Sequence, residues 1–164
     1  MSQVARAPGR VNLIGDHTDY TGGLVLPMAI DRHTTIVFER SDDVSATSSN
    51  FDGEVRFDLP VADAAAVQPA WGRYIAGVAA AMSERHMTPR GFTGTITTNV
   101  PIGGGLSSSA ALEVAAALAF GIDAGIDKGK VTDATTSPQC VAGPNTWPPT
   151  CRAASWTNSR VWPA

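Results

Sequence analysis

Between residues 9 and 20 the chain runs Gly9-Arg10-Val11-Asn12-Leu13-Ile14-Gly15-Asp16-His17-Thr18-Asp19-Tyr20, which crowds polar and charged groups around a short apolar stretch. Such a density of charge is costly in a core, where each charged group needs a partner. On a loop it suits a polyhydroxyl ligand: carboxylates accept hydrogen bonds from hydroxyls, and Asn12 and His17 can donate or accept. Arg10 cannot serve as a base at neutral pH, so it offers a fixed positive charge, useful beside a phosphoryl group in transfer. A surface salt-bridge cluster of Arg10 with Asp16 or Asp19 would use the same residues.

A second stretch, Pro101-Ile102-Gly103-Gly104-Gly105-Leu106-Ser107-Ser108-Ser109, lies between a predicted strand and a predicted helix. Three successive glycines let backbone N–H groups approach a ligand with no Cβ in the way. A helix that begins at the serines aims its unpaired N–H groups and positive end at the same place. That combination holds phosphate, and a serine hydroxyl at the helix start is placed to ligate Mg²⁺. No lysine follows as a Walker A loop requires, and the acidic residue of a dinucleotide fingerprint is missing. A plain tight turn capped by serine would show the same glycines.

The elements that must position these stretches can be read from periodicity. Thr35 to Glu39 and Glu54 to Asp58 read as strands, separated by a polar, turn-rich stretch from Ser41 to Gly53. Trp71, Tyr74, Ile75, Val78 and Met82 recur at helical spacing, predicting a helix over Pro69 to His86 with Pro89 just beyond its end. Phe92, Gly94, Ile96 and Thr98 alternate with threonines and Asn99, predicting a strand. From Ser107 onward, AALEVAAALAF predicts a second helix, its apolar run interrupted by Glu113.

The bulk numbers narrow the class. With 164 residues and 43% hydrophobic content the chain has material for one core. A formal net charge of −3, with Arg6, Arg10, Arg32 and Arg40 spread among acids, argues against nucleic acid as a partner. Met1 to Pro8 carries no apolar run of signal-peptide length, and Ala110 to Ile122 is too short to span a bilayer. We therefore expect no membrane partner and a cytoplasmic location. Cys140 and Cys151 are the only cysteines and lack any metal-ligand or disulfide-framework spacing.

Ala7-Pro8-Gly9-Arg10 through Tyr20, together with Pro101 to Ser109, resembles the GHMP kinase superfamily and, within it, the galactokinase family. Trp71-Gly72-Arg73-Tyr74-Ile75-Ala76-Gly77-Val78 resembles that family's WxxYxxGV stretch, and the resemblance runs from about Ala5 to about Phe120. It implies an α+β fold, a mixed sheet with packed helices of the ribosomal-protein-like β-α-β kind. It further implies ATP-dependent phosphorylation of galactose at its anomeric hydroxyl, with Mg²⁺ as cofactor, galactose and ATP as ligands, and a monomer. By the same resemblance Arg10 would stabilise the transition state, with Asp16, His17, Thr18 and Asp19 on the sugar. Gly103, Gly104, Gly105, Leu106, Ser107, Ser108 and Ser109 would wrap the ATP phosphates, with Ser109 on the metal. Position 16 is Asp where the family usually has Glu, one methylene shorter. The family also has a leading helical segment before this motif.

Beyond Asp133 the character changes. No acidic residue follows, yet Trp147, Trp156 and Trp162 and five of the eleven prolines lie there, with no periodicity. The resemblance implies a catalytic aspartate in a PCGIMDQ-type motif and a glutamate metal ligand in an RAEH-type stretch, and neither occurs. Codons compatible with Cys140 to Pro163, taken one frame over, can spell RGRAEHVATDVPCGIMDQLACMAG. Trp156-Thr157 must be TGG-ACN, which forces GAC, aspartate, where the family's catalytic residue belongs. We expect a frame change between about Ala124 and Gln139, giving a binding domain over 1–124 and an irregular, disordered tail over 125–164. The expected consequences are an absent C-terminal domain, apolar helix faces left exposed at Trp71 to Met82 and Leu112 to Phe120, and strongly impaired catalysis. Another GHMP sugar kinase, or a non-catalytic galactose- or nucleotide-binding module, is the alternative.

Overall fold

The computed structural model describes residues 1–15 and 24–121; the suspected frame change and the tail lie outside them. The elements follow in the order β1 (Gln3–Ile14), β2 (Leu26–Arg40), β3 (Val44–Ser48), β4 (Glu54–Phe57), α1 (Gly72–Glu84), β5 (Phe92–Thr98) and α2 (Ser108–Gly121). One five-stranded sheet has the spatial order β1-β2-β5-β3-β4. β1 with β2, β2 with β5 and β3 with β4 are antiparallel, whereas β3 lies parallel to β5, so the sheet is mixed as expected. Among the described residues no helix is long and apolar enough to cross a membrane.

Alternation decides which side of the sheet is covered. On β2, Ile36 and Phe38 point to the helices and are buried, while Val37 and Glu39 face solvent. α1 presents Ile75, Val78, Ala79 and Met82 to the same layer, all at most 2% exposed. It ends where Met87 N–H reaches back to the Met82 carbonyl and His86 takes a positive φ of 60°, a left-handed cap. α2 is rich in alanine, which lets it lie close on both the sheet and α1. The tightest packing joins the rings of Phe38 and Phe92 at 5.4 Å and of Phe92 and Phe120 at 5.2 Å, both tilted. Such pairs add about 0.5–1.5 kcal/mol beyond their burial. Arg40 closes this end: its guanidinium lies 5.0 Å from the Phe38 ring centre and donates to the Ala119 carbonyl at 2.7 Å, in the last turn of α2. A cation there also meets the negative end of the helix dipole.

Two expectations change. Ser41 to Gly53 is not all turn: Val44–Ser48 forms β3, with Val44 and Ala46 buried and Ser45 and Thr47 turned outward. Residues 9–14 are not loop but the second half of β1, which is long and irregular, its register shifting between Pro8 and Arg10 and again between Asn12 and Ile14. On the helices, Ile75, Val78, Ala115, Ala116 and Phe120 are fully buried, whereas Leu112, Val114, Ala117 and Leu118 of α2 are only partly buried. The exposed apolar side chains cluster instead near the β1–β2 tip, at Leu13, Ile14, Leu24, Leu26 and Met28.

Candidate functional site

β1 carries Arg10 into the molecule and the segment after β5 carries the glycines to meet it. The joint is a backbone hydrogen bond from Arg10 N–H to the Leu106 carbonyl at 3.1 Å. Gly9 makes that approach possible. A Cβ there would stand 2.9 Å from the Leu106 carbonyl oxygen, 3.0 Å from Val100 Cγ1 and 3.1 Å from Ile30 Cδ1, with no room to spare. Arg10 itself is 7% exposed, so its charge sits inside the fold rather than on the surface. This disfavours the reading of Arg10 as a member of a loose surface cluster.

The glycine loop has a particular backbone form. Gly103, Gly105 and Ser107 take positive φ values of 75°, 70° and 57°, whereas Gly104 and Leu106 between them do not. Alternation of left-handed and ordinary residues turns successive N–H groups toward one side, a concavity that receives anions. A side chain at Gly103 or Gly105 would meet nothing within 4 Å, so the glycines answer a backbone requirement and not a packing one. Ser107 is not glycine and so holds a less favourable conformation, of the sort that collects at ligand sites. Its carbonyl accepts from Ala111 N–H at 3.0 Å and starts α2 directly. The loop from Pro101 to Gly105 is exposed, and Ser107, Ser108 and Ser109 are half-buried at the helix start. The exposed glycine loop therefore lies directly before the positive end of α2, the arrangement in which helix N-termini receive anions.

Of the residues expected at the site, the structure joins Arg10 to Leu106 of the glycine loop through the backbone. Asp16, His17, Thr18 and Asp19 lie outside the described residues. No group of three or more His, Cys, Asp or Glu side chains able to hold a metal occurs among the described residues. The loop fits the phosphates of a nucleotide by its N–H geometry. Toward a divalent cation, the described residues offer hydroxyls at the α2 start, Ser109 among them, and no carboxylate cluster.

One notable residue was not expected at all. Glu113, five residues into α2 from Ser108, is 1% exposed, and its Oε2 has no hydrogen-bond partner. Burial pushes its carboxyl up to about 8. The only hint in sequence is a single acid inside an otherwise apolar helix.

Residues 2–40 match the galactokinase galactose-binding signature, and residues 73–133 match the GHMP kinases N terminal domain. The galactokinase of Chloroflexus aggregans is 49% identical over 123 residues, covering 73% of this chain and 31% of that protein. The galactokinase of Pyrococcus furiosus is 44% identical over 115 residues, 70% of this chain and 32% of that protein. Among solved structures, the Lactococcus lactis galactokinase complexed with galactose superposes with a TM-score of 0.62 at 34% identity, over 70% of this chain and 31% of that one. The Methanococcus jannaschii mevalonate kinase, at 18% identity and a TM-score of 0.64 over 85% of this chain and 46% of that one, shares the fold. The chain thus spans about a third of the length of the curated relatives it matches, and over that span it carries the galactokinase galactose-binding signature and matches the GHMP kinases N terminal domain.

Proposed function

We propose that this chain is the ligand-gathering front part of a kinase that transfers phosphate from ATP to the anomeric hydroxyl of galactose. The observation that carries the reading is the Arg10–Leu106 backbone bond, which fastens the strand of the sugar signature to the glycine loop. Sugar and phosphate determinants then belong to one site instead of two.

Within it the N–H groups of Gly103 through Ser109 bind and orient the nucleotide phosphates. The Arg10 guanidinium, held inside the fold, offsets negative charge as it develops on the transferring group. Asp16, His17, Thr18 and Asp19 hold the sugar hydroxyls, and Ser109 ligates the cation. Bound Mg²⁺ would supply charge neutralisation between the phosphates. The PCGIMDQ-type and RAEH-type motifs to which the resemblance assigns the catalytic aspartate and the glutamate metal ligand do not occur in the sequence, and on that ground binding and transfer separate in this chain.

Calorimetry and a coupled kinase assay on the 164-residue chain test this. We expect saturable binding of galactose and of MgATP, with phosphorylation far below the roughly 1–100 s⁻¹ of competent kinases. If neither ligand binds, the reading fails. Turnover at such rates would refute the separation of binding from transfer. A panel of galactose, N-acetylgalactosamine and arabinose distinguishes a galactose site from that of another GHMP sugar kinase.

A further inference from the structure

The chain leaves β5 for the glycine loop at Thr98, and that residue is held through its N–H, its carbonyl and its hydroxyl. β3 stops at Ser48, and Ser49 N–H donates to the Ile96 carbonyl at 2.9 Å. One residue further the backbone of β3 gives way to the Asn50 side chain. Its Oδ1 accepts from Thr98 N–H at 2.9 Å, and its Nδ2 donates to the Thr98 carbonyl at 3.1 Å. The carboxamide stands in for the peptide group that a longer β3 would bring.

The hydroxyl ties the other side. Thr34 lies opposite on β2, is 1% exposed, and donates to Thr98 Oγ1 at 2.9 Å. The same oxygen accepts from Val100 N–H at 3.2 Å, a turn closed by the side chain two residues back. Asn99 N–H donates to the His33 carbonyl at 3.2 Å, and Asn99 Oδ1 accepts from His33 N–H at 2.6 Å. Val100 is buried against Gly9, its Cγ1 3.0 Å from where a Gly9 Cβ would stand. The next residue, Arg10, holds the return of the loop at Leu106. Entry and return are thus fastened to one stretch of β1.

We propose that Thr98 and Asn50 are positioning residues of the glycine loop, fixing its departure from β5 so that the N–H groups of Gly103 through Ser109 meet the phosphates together. The assignment rests on the reading of that loop as the nucleotide's phosphate site. Asn50 lies outside both matched family segments and acts through the loop. Removing either anchor lets the chain leave β5 along other paths. Where the competent path is only about a tenth populated, apparent affinity falls about tenfold.

The test is MgATP binding by calorimetry for the 164-residue chain, Thr98→Val, Thr98→Ser, Asn50→Ala and the double variant of Asn50→Ala with Thr98→Val. Val55→Ala, a core substitution on edge strand β4, controls for lost stability, which urea unfolding measures for every chain. We expect Thr98→Val and Asn50→Ala each to weaken ATP binding on the order of tenfold. Thr98→Ser and Val55→Ala should bind as the wild type does. In the double variant the losses should fall short of additive, because both act at one residue. Unchanged affinity in Asn50→Ala, or an equal loss in Val55→Ala, overturns the assignment. So do additive losses, which would mean that Asn50 touches the nucleotide itself, and so does a Thr98→Ser that binds as weakly as Thr98→Val. If Thr98→Val does not fold, Asn50→Ala, on an exposed turn, decides together with Val55→Ala. Absence of ATP binding by the wild type sinks the phosphate-site reading and the assignment with it, whereas every other failure leaves wild-type binding intact.

Discussion

At one end of the sheet Phe38, Phe92 and Phe120 stack into an apolar cluster roofed by Arg40. At the other, the β1–β2 tip and the glycine loop expose Leu13, Ile14, Leu26 and Met28, bend β1 out of register and hold Ser107 at positive φ. The first end stabilises the fold by burial. The second leaves apolar side chains exposed, a feature that favours a ligand over stability. Arg10 N–H to Leu106 O links the two, because β1 runs from one end to the other. The fold is thus a stable clamp holding a costly site.

The largest effect expected from that division is at the stable end. Phe92 touches both neighbouring rings, so Phe92→Ala removes two aromatic contacts and leaves a cavity. We expect a loss of about 3–5 kcal/mol, a large share of a small domain's stability. Urea unfolding followed by circular dichroism measures it. A loss below about 1 kcal/mol would break the comparison, because the aromatic end would not then be the clamp.

Next in size is the pH dependence of stability from Glu113, which lies between the two ends. Its folded pKa of about 8 is raised above the ordinary value of 4.5. The folded state therefore keeps a proton that the unfolded state releases. Stability from this group is full below about pH 4.5 and falls as pH rises through 8. The total loss is on the order of a few kcal/mol, because each tenfold difference in proton affinity between folded and unfolded chain is worth about 1.4 kcal/mol. Midpoints of urea unfolding at pH 5, 6.5 and 8 should fall in the wild type and hold level in Glu113→Gln. A level wild-type series would place the carboxyl in water after all.

How far these features could be read from sequence follows the same division. The glycine loop was legible because strand, glycines and helix are contiguous, so local rules suffice from Phe92 to Gly121. α1 was legible from Trp71, Ile75, Val78 and Met82, although it is shorter than its periodicity suggests, Gly72–Glu84 rather than Pro69 to His86. β3 was not, because Val44–Ser48 is short, flanked by Asp43 and Ser49, and becomes a strand through parallel pairing with β5 far along the chain. The polar half of β1 misled for a related reason: Arg10 and Asn12 look like loop residues until the partners of an irregular strand are known. Glu113 read as an interruption of an apolar run, and only the packing of α2 reveals that it is enclosed.

The joint between the ends can be strained on purpose. Gly9→Ala would set a methyl 2.9 Å from the Leu106 carbonyl oxygen, and backbone cannot swing aside as a long side chain can. We expect about 1–3 kcal/mol of destabilisation from overpacking. The larger consequence falls on the site, since the loop must shift away from Arg10. ATP affinity should drop while the core stays intact, as near-ultraviolet circular dichroism would show. Unchanged affinity would mean that the joint does not position the loop.

The smallest expected effect separates strain from accident. Ser107 takes a φ of 57°, which glycine adopts freely and serine does not. Ser107→Gly should therefore relieve strain and raise stability by up to about 1 kcal/mol, the usual size of such conformational effects, less whatever the freer unfolded chain takes back. If the conformation exists only to close a turn, ATP affinity should be untouched. If it exists to aim N–H groups into the hollow, a more mobile loop must be ordered on binding, and affinity should fall even as thermal stability rises. Gain in one measurement and loss in the other is the signature of a site maintained against the preference of its own residues. A variant that is neutral in both would return Ser107 to the class of tolerated turn residues and leave the two glycines as the only special backbone in the loop.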